Sequence, residues 1–159
     1  MFRLSKKTDY ALLALQYLAR DKASGIASTR AIAERFGIPL ELLAKILQHL
    51  ARHGMVSAHK GTHGGYQLAR PANAISIAEV AQAIDGPMRL TACSPLDERC
   101  EQFAVCTVRD PLWRVRERLY SVLHTVTLDE LDNPEHHDVP LTIWKEAPGV
   151  PVRFHDADH

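Results

Sequence analysis

The sequence predicts a mainly α-helical protein: a winged helix-turn-helix with a small β-hairpin wing, followed by a long C-terminal dimerisation helix. Two helical patterns are separated only by Gly37-Ile38-Pro39, and a glycine-rich segment at 60–65 then separates two short patterns typical of strands. Further along the chain, apolar residues recur at helical spacing over 111–126. A helix-turn-helix followed directly by a hairpin is the order of elements in a winged helix.

Residues 5–20 are predicted to form the first helix, and a loop at 21–27 follows it. Ser5 or Thr8 can cap this helix, because a hydroxyl oxygen there accepts a hydrogen bond from an otherwise unpaired backbone N–H. The apolar stripe expected to face the core consists of Tyr10, Leu13, Tyr17 and Leu18.

The next two helices are predicted to form the helix-turn-helix. The first begins at Ser28 or Thr29 and ends at Phe36, because Gly37 tolerates the left-handed conformation that closes many helices. The second covers 40–53, and its inward stripe is expected to be Leu40, Leu43, Leu47 and Leu50. Its outer face suits phosphate and base-edge contacts, or a merely solvated surface, and carries Glu41, Ala44, Lys45, Gln48 and Arg52.

Residues 55–59 and 66–69 are predicted to be the two strands of the wing. The tip between them begins with Lys60 and is rich in glycine. Glycines let the backbone turn tightly and approach a phosphate or a narrow groove closely. A nucleotide-binding loop is the alternative, but Gly61-x-x-Gly64-Gly65-Tyr66 lacks the spacing and the following helix that such loops need.

Two further helices are expected in the second half of the chain. The capping box Ser76-Ile77-Ala78-Glu79 begins a helix that Asp85-Gly86-Pro87 ends. The longest helix, 111–126, has Asp110 as its predicted N-cap. Its heptad-like seam is expected to pack against a second copy of the chain, or else within one chain, and consists of Leu112, Val115, Leu119, Val122 and Val126.

Charge is distributed unevenly along the chain, although the formal net charge is zero. Residues 1–70 carry 11 Lys and Arg against 4 Asp and Glu, whereas residues 71–159 carry 8 against 15. The basic half is therefore a candidate surface for nucleic acid, with a solvated basic face as the alternative. Neither a signal peptide nor an apolar run long enough to span a bilayer is present, which predicts a cytoplasmic protein without membrane contact.

The cysteines, Cys93, Cys100 and Cys106, all lie within one short segment. An odd number of thiols in a reducing compartment argues against a disulfide framework and favours metal or redox chemistry. Three thiolates can hold an iron–sulfur cluster, or zinc with a fourth residue. The chain has no Cys-x-x-Cys run, nucleotide fingerprint or catalytic constellation, so we expect neither an enzyme nor a small-molecule substrate.

Together these motifs resemble a family of dimeric winged-helix iron–sulfur transcriptional regulators that includes IscR and NsrR. The resemblance covers residues 1–131, and its features are Arg3-Leu4-Ser5, Thr8-Asp9-Tyr10-Ala11, the helix-turn-helix, Gly61-x-x-Gly64-Gly65-Tyr66, Ile84-Asp85-Gly86-Pro87 and the cysteine loop before a long helix. It implies a homodimeric repressor that binds a double-stranded DNA operator. The implied DNA contacts are Ser28, Thr29, Glu41, Ala44, Lys45, Gln48, Lys60, Gly61, Thr62, His63, Gly64 and Gly65.

The resemblance also implies that Cys93, Cys100 and Cys106 ligate an iron–sulfur cluster, either 2Fe–2S or 4Fe–4S. The cluster would control operator binding in response to cluster supply, redox state or nitric oxide. IscR-like members place a histidine three residues after the last cysteine, where this chain has Arg109. NsrR-like members use an aspartate near the start of the partner's first helix, and Asp9 matches that position.

Asp9 is therefore the expected fourth ligand, with Glu101, Asp110 and His124 as substitutes; a favourable contact with the helix dipole is its alternative role. A thiol-based or zinc-based sensor on the same DNA-binding scaffold remains the main alternative. Two further alternatives are a redox protein and a module that interacts with partners only through the long helix. The expected organisation is a DNA-binding region at 1–70, a linker helix, cysteine loop and dimerisation helix at 71–131, and a mobile tail containing Pro and His at 132–159.

Overall fold

The computed structural model describes residues 4–20, 25–61, 64–87, 89 and 100–132. Cys93, Thr62, His63 and the predicted tail beyond Asp132 lie outside these residues. The described elements are α1 (Lys6–Arg20), α2 (Thr29–Phe36), α3 (Leu40–Arg52), β1 (Val56–His59), β2 (Gly65–Leu68), α4 (Ile77–Asp85) and α5 (Arg109–Thr125), with 3₁₀ turns at Ala72–Ala74 and Glu130–Asp132. A mainly helical chain with a small antiparallel hairpin after the helix-turn-helix confirms the predicted fold class.

The face that α1 buries differs from the predicted one. Its buried positions are Thr8, Ala11, Ala14, Leu15 and Leu18, whereas three of the four predicted stripe residues are only half-buried: Tyr10, Leu13 and Tyr17. The alanines let α1 pack closely against α3 and α4. The larger rings stay at the margin of the core, where Tyr17 meets Phe36 edge to face with 6.0 Å between centroids.

The helix-turn-helix is held by a cap, a glycine and one apolar stripe. Ser28 Oγ accepts a hydrogen bond from the N–H of Ala31 at 3.1 Å, and Gly37 ends α2 with φ at 63°. The buried side of α3 consists of Leu43, Ile46, Leu47 and Leu50. Leu40, predicted to face inward, is instead 43% exposed, so the buried stripe begins at Leu43.

The chain beyond α5 returns to the core and pairs with the segment before α4. The capping box of α4 is present: Ser76 Oγ accepts from the N–H of Glu79 at 3.2 Å, and the Glu79 carboxylate accepts from the N–H of Ser76 at 3.0 Å. Next to it, the N–H of Leu128 donates to the carbonyl of Ile75 at 2.8 Å. Leu128 is buried in the same core as α1 and α3, so the C-terminal end of α5 is anchored to the body of the protein.

The start of α5 differs from the prediction. The helix begins at Arg109, with Val108 at the N-cap position and no side-chain cap. Asp110 cannot act as the cap because it already lies inside the first turn, where its carboxylate accepts a hydrogen bond from Arg109 Nε at 2.7 Å. Pro111 fits there, since the first backbone N–H groups of a helix have no intrahelical acceptor. Within the described residues, no helix combines the length and the apolar character needed to cross a membrane.

Candidate functional site

The outer side of α3 presents polar side chains on a rigid support. Glu41, Lys45 and Gln48 are exposed and Ala44 is half-buried, while the opposite stripe of the helix is fully buried. Residues at this spacing share one side of a helix. The packed apolar side therefore fixes the direction in which the polar side chains project, as a surface that reads another molecule requires.

The N-terminus of α2 adds two hydroxyl groups. Ser28 is exposed, and its Oγ accepts a hydrogen bond from Ala31, so the hydroxyl proton can still be donated to a ligand. Thr29, the first residue of α2, is half-buried. The partial positive charge of a helix N-terminus favours an anion at this position.

The backbone packing of the wing itself requires glycine at two positions. The N–H of Gly64 donates to the carbonyl of Gly61 at 2.9 Å and closes the turn. A Cβ on Gly64 would lie 2.5 Å from the His59 carbonyl oxygen, and one on Gly65 would collide with the Ala27 carbonyl group. Ala27 and Tyr66 exchange two backbone hydrogen bonds of 2.9 Å, so the wing is fixed to the loop before α2.

Lys60 is the exposed cation at the described edge of the wing tip. It follows directly after β1, whose last residue, His59, pairs with Gly65. The glycine pattern by itself is explained by the tight turn and by the Ala27 contact, so it is Lys60 that points to an anionic partner.

Two motifs that are far apart in the sequence meet where α1 begins and α4 ends. The Asp85 carboxylate accepts hydrogen bonds from the Ser5 N–H at 3.0 Å, the Ser5 hydroxyl at 2.5 Å and the Thr8 hydroxyl at 2.8 Å. Burial alone would raise the pKa of Asp85, but these hydrogen bonds and the nearby charge of Lys7 hold that pKa below its usual value. The sequence contained both halves of this cluster without indicating that they meet.

Cys100 and Cys106 are free thiols at the two ends of a tight turn. Cys100 is exposed and Cys106 is half-buried. Inside the turn, the N–H of Phe103 donates to the Cys100 carbonyl at 2.9 Å. Both sulfur atoms belong to a short, defined segment directly before α5, which suits soft-metal ligation or thiol chemistry.

Arg109 lies over the turn between these two cysteines. Its guanidinium donates to the Phe103 carbonyl at 3.2 Å and lies 4.3 Å from the centre of the Phe103 ring. The hydrogen bond to Asp110 is the main cause that raises the pKa of Arg109, and negative charge on Cys106 and Cys100 acts in the same direction. A guanidinium has no lone pair to offer a metal, so Arg109 supplies positive charge beside the sulfurs and not a ligand.

The other ligand candidates are spread over the subunit. Asp9 is exposed on α1, and its carboxylate has no hydrogen-bond partner within the described part of the chain. Glu101 is exposed beside Cys100, and Asp110 is paired with Arg109. His124 lies fourteen residues beyond Asp110, about 21 Å along the helix axis. Among the described residues of one chain, no three His, Cys, Asp or Glu side chains assemble as a metal site.

The seam of α5 is apolar and uncovered in the single chain. Leu112, Val115, Leu119 and Val122 are 37%, 45%, 38% and 61% exposed. The adjacent side of the helix faces the body, where Tyr120 donates a hydrogen bond to Gln82 Oε1 at 2.9 Å. Val105 and Val108 continue the seam spacing towards the cysteines and are also exposed, at 70% and 59%. Exposed apolar residues therefore occur both in the cysteine turn and along the helix.

Comparison with known proteins gives one consistent family. A family model described as Rrf2, an iron-dependent transcriptional regulator, matches residues 4–134. An HTH-type transcriptional regulator of Mycobacterium tuberculosis is 36% identical over 138 residues, which are 84% of this chain and 85% of that protein. IscR of Escherichia coli, also an HTH-type transcriptional regulator, is 32% identical over 162 residues, with 95% of this chain and 99% of IscR covered. These relatives are named as regulators and not as enzymes.

Two solved structures have a similar fold. CymR, the global cysteine regulator of B. subtilis, matches with a TM-score of 0.66 and 26% identity over 82% of this chain and 96% of its own. IscR of T. potens matches with a TM-score of 0.62 and 25% identity over 81% of this chain and 85% of its own.

Proposed function

Because the chain belongs to the Rrf2 family of winged-helix transcriptional regulators, we propose that it binds an operator in double-stranded DNA as a homodimer under the control of its cysteine segment. Residues 1–70 are the DNA-binding region of this proposal, and residues 71–131 carry the sensing and dimerisation elements. The main observation behind it is that one chain has both an exposed polar face on α3 and an uncovered apolar seam on α5.

In the proposed complex, α3 enters the major groove and the wing contacts the adjoining backbone. Lys45 and Gln48 supply donors for base edges or phosphates, and Glu41 supplies an acceptor. Ser28 and Lys60 position the protein on the phosphates at either side. The exposure of these side chains on rigid elements supports these roles, and each good base contact contributes about 1–3 kcal/mol of discrimination.

The α5 seam supports a two-fold dimer. A helix of 17 residues is about 25 Å long, enough for an extended helix–helix interface. Pairing two copies along the seam buries apolar surface that is exposed in the single chain, and this surface is the same on both partners, as two-fold symmetry requires. A dimer also presents two α3 helices, which suits a palindromic operator with half-sites about one turn of DNA apart.

The sensor of the proposal is an iron–sulfur cluster held by Cys93, Cys100 and Cys106, with Asp9 of the partner subunit as the fourth ligand. The donor chemistry fits, because Cys100 and Cys106 flank one turn with the positive charge of Arg109 beside them. Asp9 is exposed and has no partner within the described residues of its own chain, which suits a ligand given to another subunit. Such a cluster would supply a centre sensitive to iron–sulfur supply, oxidation or nitric oxide.

The test is anaerobic purification followed by an absorption spectrum, iron and sulfide assays, and operator binding before and after cluster removal. We expect a coloured protein whose operator affinity changes about 5- to 150-fold, a typical range for coupled sites. Cys106→Ala is expected to lose the cluster and Asp9→Asn to weaken it, whereas Glu101→Gln, which removes an alternative carboxylate ligand, is expected to leave the cluster intact. Equal operator affinity with and without the cluster would refute control by the cluster.

A thiol-based sensor is the second candidate function. The exposed, free Cys100 thiol favours it, because oxidants can reach a solvent-accessible cysteine. The similarity to CymR, the global cysteine regulator of B. subtilis, is compatible with such a role. A colourless protein without iron or sulfide, whose operator binding changes on mild oxidation and recovers with a dithiol, would favour this function over the cluster. Zinc in that colourless protein would identify a zinc site instead.

A further inference from the structure

A small groove opens between α1, α3 and α4 beside the outer face of α3. Its volume is about 180 Å³, and its lining consists of Lys7, Leu42, Lys45, Ile46, His49 and Ile84. Lys45 also belongs to the outer face of α3, so the groove is continuous with the surface assigned to DNA. Lys7 and His49 were not among the residues expected to contact DNA.

The groove has an apolar floor and a basic rim. Leu42, Ile46 and Ile84 form the floor, and Ile46 is almost fully buried. Lys45 and His49 are one helical turn apart on α3, and Lys7 reaches the same rim from α1. The packing of α1 against α3 therefore brings cations from two elements to one place.

The two lysines of the rim are available to an anion from outside the described part of the protein. Neither Lys7 nor Lys45 forms an ion pair there. Asp85 is the nearby acid whose charge interacts with Lys7, although the two form no ion pair; its carboxylate oxygens accept three hydrogen bonds from Ser5 and Thr8. An anion in the groove would interact favourably with both ammonium groups.

The size of the groove limits the anion it can accept. A volume of about 180 Å³ corresponds to roughly six water molecules, whereas pockets for small-molecule ligands measure roughly 300–1,000 Å³. A single phosphate group fits within this volume, whereas a whole nucleotide would extend beyond it. A phosphate group that belongs to a larger molecule outside the groove has both the required negative charge and a suitable size.

We propose that this groove binds a phosphate of the DNA backbone, so that the DNA-contacting surface extends from α3 onto α1 through Lys7. The inference rests on the DNA-binding function proposed above and adds a contact to it. Lys7 and Lys45 neutralise the phosphate, and the ring of His49 lies within the same rim to donate a hydrogen bond. Such a contact positions the protein on the duplex and does not depend on base sequence.

Neighbouring lysines provide a matched pair of variants. Lys7→Gln removes a charge from the groove, while Lys6→Gln removes the same charge one residue away, where the Lys6 ammonium lies 5.4 Å from the centre of the Tyr10 ring and outside the groove. Binding of the full-length variants to an operator selected from random duplexes, and to an unrelated duplex, is measured by fluorescence anisotropy across roughly 50–200 mM salt.

One lost phosphate contact lowers the magnitude of the slope of log K against log salt by about 0.9. Over a fourfold change in salt, this slope corresponds to roughly a threefold change in relative affinity. We expect Lys7→Gln to show this loss on both duplexes, Lys7→Arg to retain the wild-type slope, and Lys6→Gln to leave the slope unchanged. Circular dichroism spectra of the variants check that they are folded.

The possible outcomes distinguish a failure of the proposed phosphate contact from a failure of the proposed DNA binding. A wild-type protein that binds no duplex at any salt concentration refutes DNA binding itself. A wild-type protein that binds, with equal slopes for Lys7→Gln and Lys6→Gln, refutes only the phosphate contact. Calorimetric titration with inorganic phosphate tests the remaining source of the anion: binding that Lys7→Gln abolishes, with an unchanged salt slope on DNA, assigns the groove to a free anion and overturns the proposal.

Discussion

Replacing Leu119, a residue in the middle of the α5 seam, with alanine tests whether the protein forms a homodimer through this seam. Leu119 is 38% exposed in the single chain, and its seam neighbours Val115 and Val122 are more exposed still. Complete burial of a leucine side chain is worth about 1.5–3 kcal/mol, so burial of the exposed fraction contributes about 0.6–1.1 kcal/mol per subunit. Because two-fold symmetry uses the position twice, the dimer is expected to lose about 1–2 kcal/mol.

This loss corresponds to roughly a 5- to 30-fold increase in the dimer dissociation constant, which analytical ultracentrifugation over a range of concentrations can measure. Ser121→Ala is the control, because Ser121 is exposed on the same helix but lies outside the seam. Leu119→Glu is expected to prevent dimerisation altogether, since a buried unpaired carboxylate opposes association.

The reasoning is wrong if Leu119→Ala and Ser121→Ala dissociate at the same concentration as the wild type. It is also wrong if the wild type is a monomer throughout that range. Loss of helical signal in Leu119→Ala would instead indicate that the seam stabilises the subunit itself. Far-ultraviolet circular dichroism of the three proteins separates that explanation from a dimer effect.

Three further predictions concern the wing, the junction of α1 with α4, and α3. Gly65→Ala is expected to destabilise the protein by about 1–3 kcal/mol in urea unfolding, because the new Cβ would collide with the Ala27 carbonyl group; an unchanged midpoint would contradict the close approach. The lowered pKa of Asp85 means that its contribution to stability is complete above its unfolded pKa of about 3.9 and is lost as pH falls through the folded value. Asp85→Asn should therefore lower the stability of the protein at neutral pH and make that stability decline less as the pH falls. If the stability of the variant has the same pH dependence as that of the wild type, the predicted role of the Asp85 hydrogen bonds is wrong. Gln48→Ala is expected to weaken operator binding by about 1–3 kcal/mol and to leave an unrelated duplex unaffected, and an equal loss on both duplexes would assign Gln48 to a phosphate.

The local elements could be predicted because short stretches of chain determine them. The Ser76–Glu79 capping box, the Ser28 cap and the left-handed Gly37 each depend on residues within one turn of helix. The outer side of α3 could be predicted for the same reason, since it lies opposite a stripe of leucines. The first residue of α5 was missed because the contacts of Arg109 with Phe103 and Asp110, and not a side-chain cap, accompany its start.

The buried face of α1 shows that apolar periodicity alone cannot predict which side of a helix faces the core. Both its aromatic residues and its alanines recur at helical spacing, so the pattern alone permits more than one inward side. Packing against α3 and α4 selects the alanines and Leu15, because small residues let the helices approach closely. The rings of Tyr10 and Tyr17 then remain half-buried.

The order of helices and hairpin, the basic first half, the cysteine segment and the apolar period of α5 could all be recognised from the amino-acid sequence. These properties are local, or they are sums over composition. Tertiary packing was needed to show that Asp85 joins Ser5 and Thr8, that Gly65 lies against Ala27, and that Lys7 and Lys45 line one groove. Each of these arrangements involves segments distant in the chain, and the packing of the whole core, which no local pattern encodes, brings them together.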